Sequence, residues 1–140
     1  HLIDNYGSTE FGETALFYLA QVQFSAGNNV EAKMHAEKYL LKGQSSSHRA
    51  GSYLILAELY AIEEDYGTAA DLYLRAAELA YTPIAGWRNR LSAVRCYIQI
   101  GEYKNAENLL DEFEEGGEDI DPLRPDFKRI RGRLQILSQK

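Results

Sequence analysis

The stretch GEYKNAENLL, residues 101–110, decides the fold because its pattern occurs three times along the chain. Residues 64–73 read EDYGTAADLY and residues 27–36 read GNNVEAKMHA, so the pattern returns every 37 positions. In each copy a turn-forming segment is followed by an alanine and then by further apolar residues. A fixed spacing with no insertion between copies predicts three copies of one structural unit.

One column of the repeat is identical in all three units and holds Ala32, Ala69 and Ala106. A small residue at a fixed position lets two helices approach closely, because a larger side chain would push the pair apart. We therefore expect these three alanines to be buried between helices.

Each unit is predicted to contain two α-helices. In the first half of unit one, Leu16, Ala20 and Gln23 are spaced i, i+4 and i+7, on one helix face. The second halves show the same 3.6-residue rhythm. Thr82 and Pro83 are a start signal for the third unit, with Thr as the cap and Pro at the first helical position.

The turn inside each unit carries its own signals. Gly27 and Gly101 are expected to end the first helices, because glycine adopts the left-handed conformation that other residues resist. Asn28 or Asn29, Asp65 and Glu102 follow as polar residues able to cap or favour the start of the second helix.

The composition is that of one compact domain with a real core. The chain has 140 residues, of which 45% are hydrophobic and 26% charged. Its net charge of −6 argues against a nucleic-acid partner, whose binding face would be basic. Cys96 is the single cysteine, so neither an intrachain disulfide nor a Cys-based zinc site is expected.

These residues carry a family resemblance. The second unit resembles the tetratricopeptide repeat (TPR) most closely, through Leu56, Ala57, Tyr60, Asp65, Tyr66, Ala69, Tyr73 and Ala76. The first unit departs from the family pattern with Asn29 at the turn tyrosine, and the third with Arg90 and Ala93 at positions where large apolar residues are usual. The resemblance implies an all-α fold, a right-handed α-solenoid of about three helix pairs with a C-terminal capping helix.

We expect residues 1–140 to form a single TPR-like domain. Its predicted parts are the tail of a preceding helix with its turn (1–8), three repeats (9–45, 46–82 and 83–119) and a capping helix (120–140).

The capping helix is predicted from an apolar stripe at Phe127, Ile130, Leu134 and Leu137, with Pro122 and Pro125 in its first turn. Before it lies an acidic run, residues 111–121, with seven carboxylates and without the alternating pattern of a calcium loop. The basic residues between 124 and 133 either pair with this run or face a partner, and pairing is the preferred interpretation.

No catalytic or metal-binding constellation is visible, so we expect no enzyme activity and no cofactor. His35 and His48 lack ligand partners at helical spacing and are interpreted as surface or helix-capping residues. Cys96 follows Arg95, which could lower the pKa of the thiol, but a small buried residue is the preferred interpretation.

In a TPR-like stack the first helices line a concave groove, and the family register implies which residues face it. The expected partner-binding residues are Phe17, Tyr18, Gln21, Phe24, Leu54, Glu58, Ile62, Arg88, Arg95 and Gln99. A TPR subclass binds chaperone C-terminal carboxylates through Lys, Asn and Arg residues. Only Arg88 fits that set, so we expect no such clamp.

The function expected from the resemblance is that of a scaffold or adaptor that binds a protein or peptide segment in the groove. Two alternatives remain open. One is a structural or oligomerisation segment of a larger membrane-anchored protein, whose own upstream chain fills the groove or which forms a homo-oligomer. The other is a groove for a small apolar ligand or lipid. The chain is similar in style to TPR segments of the bacterial envelope, which implies a periplasmic or membrane-anchored setting through an upstream anchor, and otherwise a cytoplasmic one.

Overall fold

The computed structural model describes residues 10–116 and 118–139, and the regular secondary structure of this part of the chain is helical, without β-strands. The prediction of an all-α fold is therefore confirmed, while the predicted helix tail at 1–8 lies outside the described residues. The elements are α1 (Glu10–Ser25), α2 (Asn29–Lys42), α3 (Ser46–Ile62), α4 (Tyr66–Glu78), α5 (Pro83–Gln99), α6 (Tyr103–Glu114), a 3₁₀ helix (Glu118–Leu123) and α7 (Arg124–Ser138).

Three helices begin at side-chain caps. Ser45, Asp65 and Thr82 each accept a hydrogen bond from a backbone N–H three residues later, which satisfies a donor that the first helical turn leaves free. The predicted start at Thr82 is confirmed. Asn28 and Glu102 precede α2 and α6 without making a capping side-chain bond, so they are weaker start signals than expected.

The turns inside the three units share one backbone conformation. Gly27 and Gly101 have φ of 82° and 76°, the left-handed region predicted for them. At the equivalent place in the second unit, Glu64 has a φ of 64°. A side chain in this region costs about 1–2 kcal/mol, so the second turn carries strain that the two glycines avoid.

The helices pack in chain order, each against the helix before and after it, and α1 also contacts α3. Ala32, Ala69 and Ala106 are each 0% exposed, which confirms the expected burial of this column. Because nothing larger than a methyl group stands at these positions, α2, α4 and α6 can lie close to the helices that cover them.

The C-terminal end of the core is built from aromatic and aliphatic side chains. Phe113 of α6 stacks on Phe127 of α7 with ring centroids 4.5 Å apart, and Trp87 of α5 meets Phe113 edge to face. Ile130 and Leu134 continue the buried face of α7, as the apolar stripe predicts. The final α-helix begins later than expected, because residues around Pro122 form the 3₁₀ helix and only Pro125 lies in the first turn of α7.

The acidic run and the basic cluster pair with each other. Arg131 of α7 donates to Asp111 at 2.9 Å and to Glu114 at 3.2 Å, and Arg124 donates to Asp121 at 2.7 Å. These contacts favour the pairing interpretation of the two segments. Exposed pairs of this kind contribute about 0.2–1 kcal/mol each, so they orient α7 more than they stabilise it.

In the described part of the chain, none of the helices combines the length and the apolar character that a bilayer crossing requires.

The left-handed turns generate a stability prediction. Gly101→Ala should lower the free energy of unfolding by about 1 kcal/mol, because alanine resists the positive φ although its methyl group meets no neighbour. Glu64→Gly should raise it by about 0.5 kcal/mol, since the relief of strain exceeds the entropy cost of glycine.

Urea denaturation measures both changes. Gly132→Ala is the matched control, because it also adds a methyl group into open space but lies inside α7 without a positive φ. That variant should be stabilised by about 0.5–1 kcal/mol. Equal changes in the free energy of unfolding for Gly101→Ala and Gly132→Ala would contradict the explanation by backbone conformation.

The alanine column generates a second prediction. Ala106→Leu should destabilise the protein by about 1–3 kcal/mol, because the added atoms have no space between α6 and its neighbours. Asn108→Leu, on the exposed side of the same helix, should change stability by less than about 0.5 kcal/mol. Thermal unfolding followed by circular dichroism compares the two, and equal midpoints would show that the alanine is not a packing constraint.

Candidate functional site

A cavity of about 780 Å³ lies between α1 and α3. Its walls are mainly apolar, with Val22 and Phe24 from α1 facing Leu54 and Ile55 from α3. Gln21 adds an amide at one side. This part of the surface offers apolar area with few groups that would need a polar partner.

A second cavity, of about 310 Å³, lies where α3, α4 and α5 meet. Its lining is mixed and includes Ser92, Arg95 and Gln99 of α5 together with two tyrosines of α4, Tyr66 and Tyr73. Glu58 of α3 lines both cavities. We call the two cavities, joined at Glu58, the groove.

Six of the ten residues predicted to bind a partner line the groove. They are Gln21, Phe24, Leu54 and Glu58 in the first cavity, and Arg95 and Gln99, again with Glu58, in the second. Tyr18, Ile62 and Arg88 are exposed and line neither cavity.

Phe17 lies in the interior instead of on the groove surface, with 5% of its surface exposed. Its ring stacks on His48 with centroids 4.5 Å apart and stands edge to face with Tyr18. Gly51 makes room for it, because a Cβ at position 51 would lie 2.6 Å from the ring. Phe17 therefore joins α1 to α3 and is not available to a ligand.

The predicted set omitted groove residues of two kinds. Val22 lies on α1 one position after a predicted residue, and Cys96 lies on α5 one position after Arg95. Tyr66 and Tyr73 come from a second helix, and a register confined to the first helices could not show that their rings reach the groove. Tyr66 and Tyr73 both belong to the repeat pattern of the second unit, but that pattern indicates a role in packing and not in the groove.

The electrostatics of the second cavity centre on Glu58. Tyr73 is buried, and it lies beside Glu58 in the wall of the second cavity. Burial is the first cause that raises the pKa of Tyr73 well above its usual range, and the negative charge of Glu58 is the second. Arg95 is bound on its other side by Asp126 of α7, at 3.3 Å.

Cys96 lies beside these groups and is a buried, protonated thiol. Burial raises its pKa to about 11, and the charge of Glu58 acts in the same direction. Arg95 lowers the pKa, as its place next to Cys96 in the sequence suggested, but burial outweighs this effect. The thiol is therefore a packing residue in the wall of the second cavity and a poor nucleophile.

The histidines make structural contacts. Nδ1 of His35 lies 2.7 Å from Oε1 of Gln23, which ties α2 to α1, and the ring of His48 packs against Phe17, Tyr18 and Tyr39. Within residues 10–116 and 118–139 there is no group of three or more His, Cys, Asp or Glu side chains arranged to hold a metal ion.

Comparison with protein-family models, with curated proteins and with solved structures gave no significant match. The TPR resemblance therefore rests on the repeat residues alone.

The state of Cys96 gives a prediction for its chemistry. At about pH 8 a thiol with a pKa near 11 is roughly 100-fold less ionised than one with the usual value, so it should react with dithionitrobenzoate at least about 100-fold more slowly. The same protein in concentrated urea is the control, because unfolding removes the burial. Equal rates in the folded and unfolded states would show that the thiol is not buried as described.

Proposed function

We propose that this chain is a protein-interaction module that binds a peptide or helical segment of a partner in the groove and has no catalysis of its own. The observation that carries the proposal is the presence of two neighbouring cavities along α3, one mainly apolar and one with a mixed lining, which share Glu58 in their walls. Such a surface provides apolar anchoring sites and, beside them, groups that fix orientation.

The dimensions of the groove support a segment as its occupant. The first cavity, at about 780 Å³, has room for several apolar side chains, and the second continues toward α5. An amphipathic helix, or an extended segment, places apolar side chains at short intervals and suits such a row of cavities.

The repeat supports the finer architecture that we propose for the fold, a right-handed TPR-like solenoid of three helix pairs capped by α7. Each pair, α1–α2, α3–α4 and α5–α6, falls inside one predicted unit, and the buried alanine occurs once in every pair. In this architecture the first helices of the pairs form the wall of the groove.

A second candidate function, oligomerisation, is favoured by an apolar surface on α1 that adjoins the groove and shares Val22 with it. Phe11, Tyr18 and Val22 share one helix face and are 65%, 52% and 65% exposed. The positions 37 residues later that correspond to Tyr18 and Val22 are Ile55 and Leu59, which the first helix pair buries. The face on α1 therefore resembles a helix-packing face that a second copy could cover. Light scattering at increasing concentration tests this candidate.

The binding function predicts a clear difference between two residues of α3. Peptides of about 12 residues selected from a random display library should lose at least about tenfold in affinity with Leu54→Glu, which places a charge in the apolar wall. Ile62→Glu, an equal change on the same helix outside the groove, should leave the affinity unaltered. Fluorescence anisotropy with labelled peptides measures both.

A further variant separates loss of binding from loss of folding. Gln21 is exposed and lines the first cavity, so Gln21→Trp should fill the groove while the thermal midpoint stays unchanged. Two results would refute the proposed function. One is that no peptide of the library binds above background, and the other is that the selected peptides bind the Leu54→Glu and Gln21→Trp variants as tightly as the unmodified protein.

A further inference from the structure

Glu58 stands at the junction of the two cavities with an incomplete set of partners. A carboxylate offers about four acceptor positions, and Tyr73 is the phenol that lines the second cavity beside it. In the described part of the chain, no Lys, Arg or His side chain forms an ion pair with Glu58. The carboxylate is half-buried and open to the groove on two sides.

The other charge of the groove does not neutralise Glu58. Among the described residues that line the two cavities, Arg95 is the one cation, and its guanidinium is bound by Asp126 at 3.3 Å. Asp126 is also bound by Arg129 at 2.6 Å, so Arg95, Asp126 and Arg129 form an ion-pair cluster that does not include Glu58. The negative charge of Glu58 contributes to the raised pKa values of Tyr73 and Cys96, while Arg95 acts in the opposite direction, so both charges act on the wall of the second cavity.

We propose that the groove selects partner segments in which a lysine or arginine follows apolar anchor residues, and that Glu58 receives the basic side chain. This inference rests on the proposed binding function. The apolar anchors enter the first cavity between α1 and α3, and the cation lies where the two cavities join. Glu58 is half-buried and has no counter-ion among the described residues. A positive charge on a ligand therefore distinguishes basic segments from neutral or acidic ones most strongly at this carboxylate.

The charge distribution disfavours the opposite class of partner. An acidic segment would need free cations in the groove, but Arg95 is already bound by Asp126 and Arg88 lines neither cavity. The net charge of −6 on the whole chain adds a general attraction toward basic partners and speeds their approach.

A display library of random peptides of about 12 residues, selected on the immobilised 140-residue chain, tests the inference. The selected peptides should combine at least two apolar residues with a nearby Lys or Arg. A synthetic peptide of the consensus should bind about tenfold more tightly than its Lys→Gln form, and Glu58→Gln should remove this difference.

Matched variants make the result specific. Glu58→Gln keeps the shape of the side chain and removes its charge, while Glu112→Gln makes the same change of charge on α6 outside the groove. Only the first variant should cancel the preference for lysine. The comparison of the two peptides on the unmodified protein does not depend on the folding of any variant.

The outcomes distinguish the two proposals. Peptides that bind in the groove without a basic preference, or with an acidic one, would overturn the role of Glu58 and leave the binding function standing. A basic preference that Glu58→Gln does not change would also overturn that role. No enrichment of any peptide would overturn both proposals.

Discussion

The close approach of helices at Ala32, Ala69 and Ala106 is the constraint on which the rest of the structure depends. All three are fully buried, and each stands at the same place in its helix pair. A methyl group at this position sets the distance between the second helix of a pair and the helices that cover it. The spacing between neighbouring pairs follows from this distance, and the groove lies along the line where the pairs meet.

The groove combines residues that serve packing with residues that remain available to a partner. Phe24 and Leu54 contribute to the apolar packing between helices and also line the first cavity. Tyr73 is buried in the core and also lines the second cavity beside Glu58. The core therefore supports the wall around the Glu58 carboxylate, which forms no ion pair with any described residue. A rigidly held charge gives more orientation to a ligand than a mobile surface charge does.

The distinction between surface and interior could be predicted for helix faces but not for every side chain. Gln21, Leu54, Glu58 and Gln99 line the groove, as the register of the first helices predicts. Phe17 does not, because Gly51 on the facing helix leaves a space that its ring fills. The register gives the direction of a side chain from its own helix, whereas burial depends on the residue that stands opposite.

The sequence by itself determined the helical class, the 37-residue spacing, the buried alanines and the left-handed turns at Gly27 and Gly101, because these features depend on local conformation and on periodicity. Only the tertiary structure decided that Tyr73 and Glu58 line the same cavity, that Asp126 binds Arg95 and that burial makes Cys96 a protonated thiol. Each of these facts joins residues from different helices. Their distances are set by helix packing, which the pattern along a single helix does not contain.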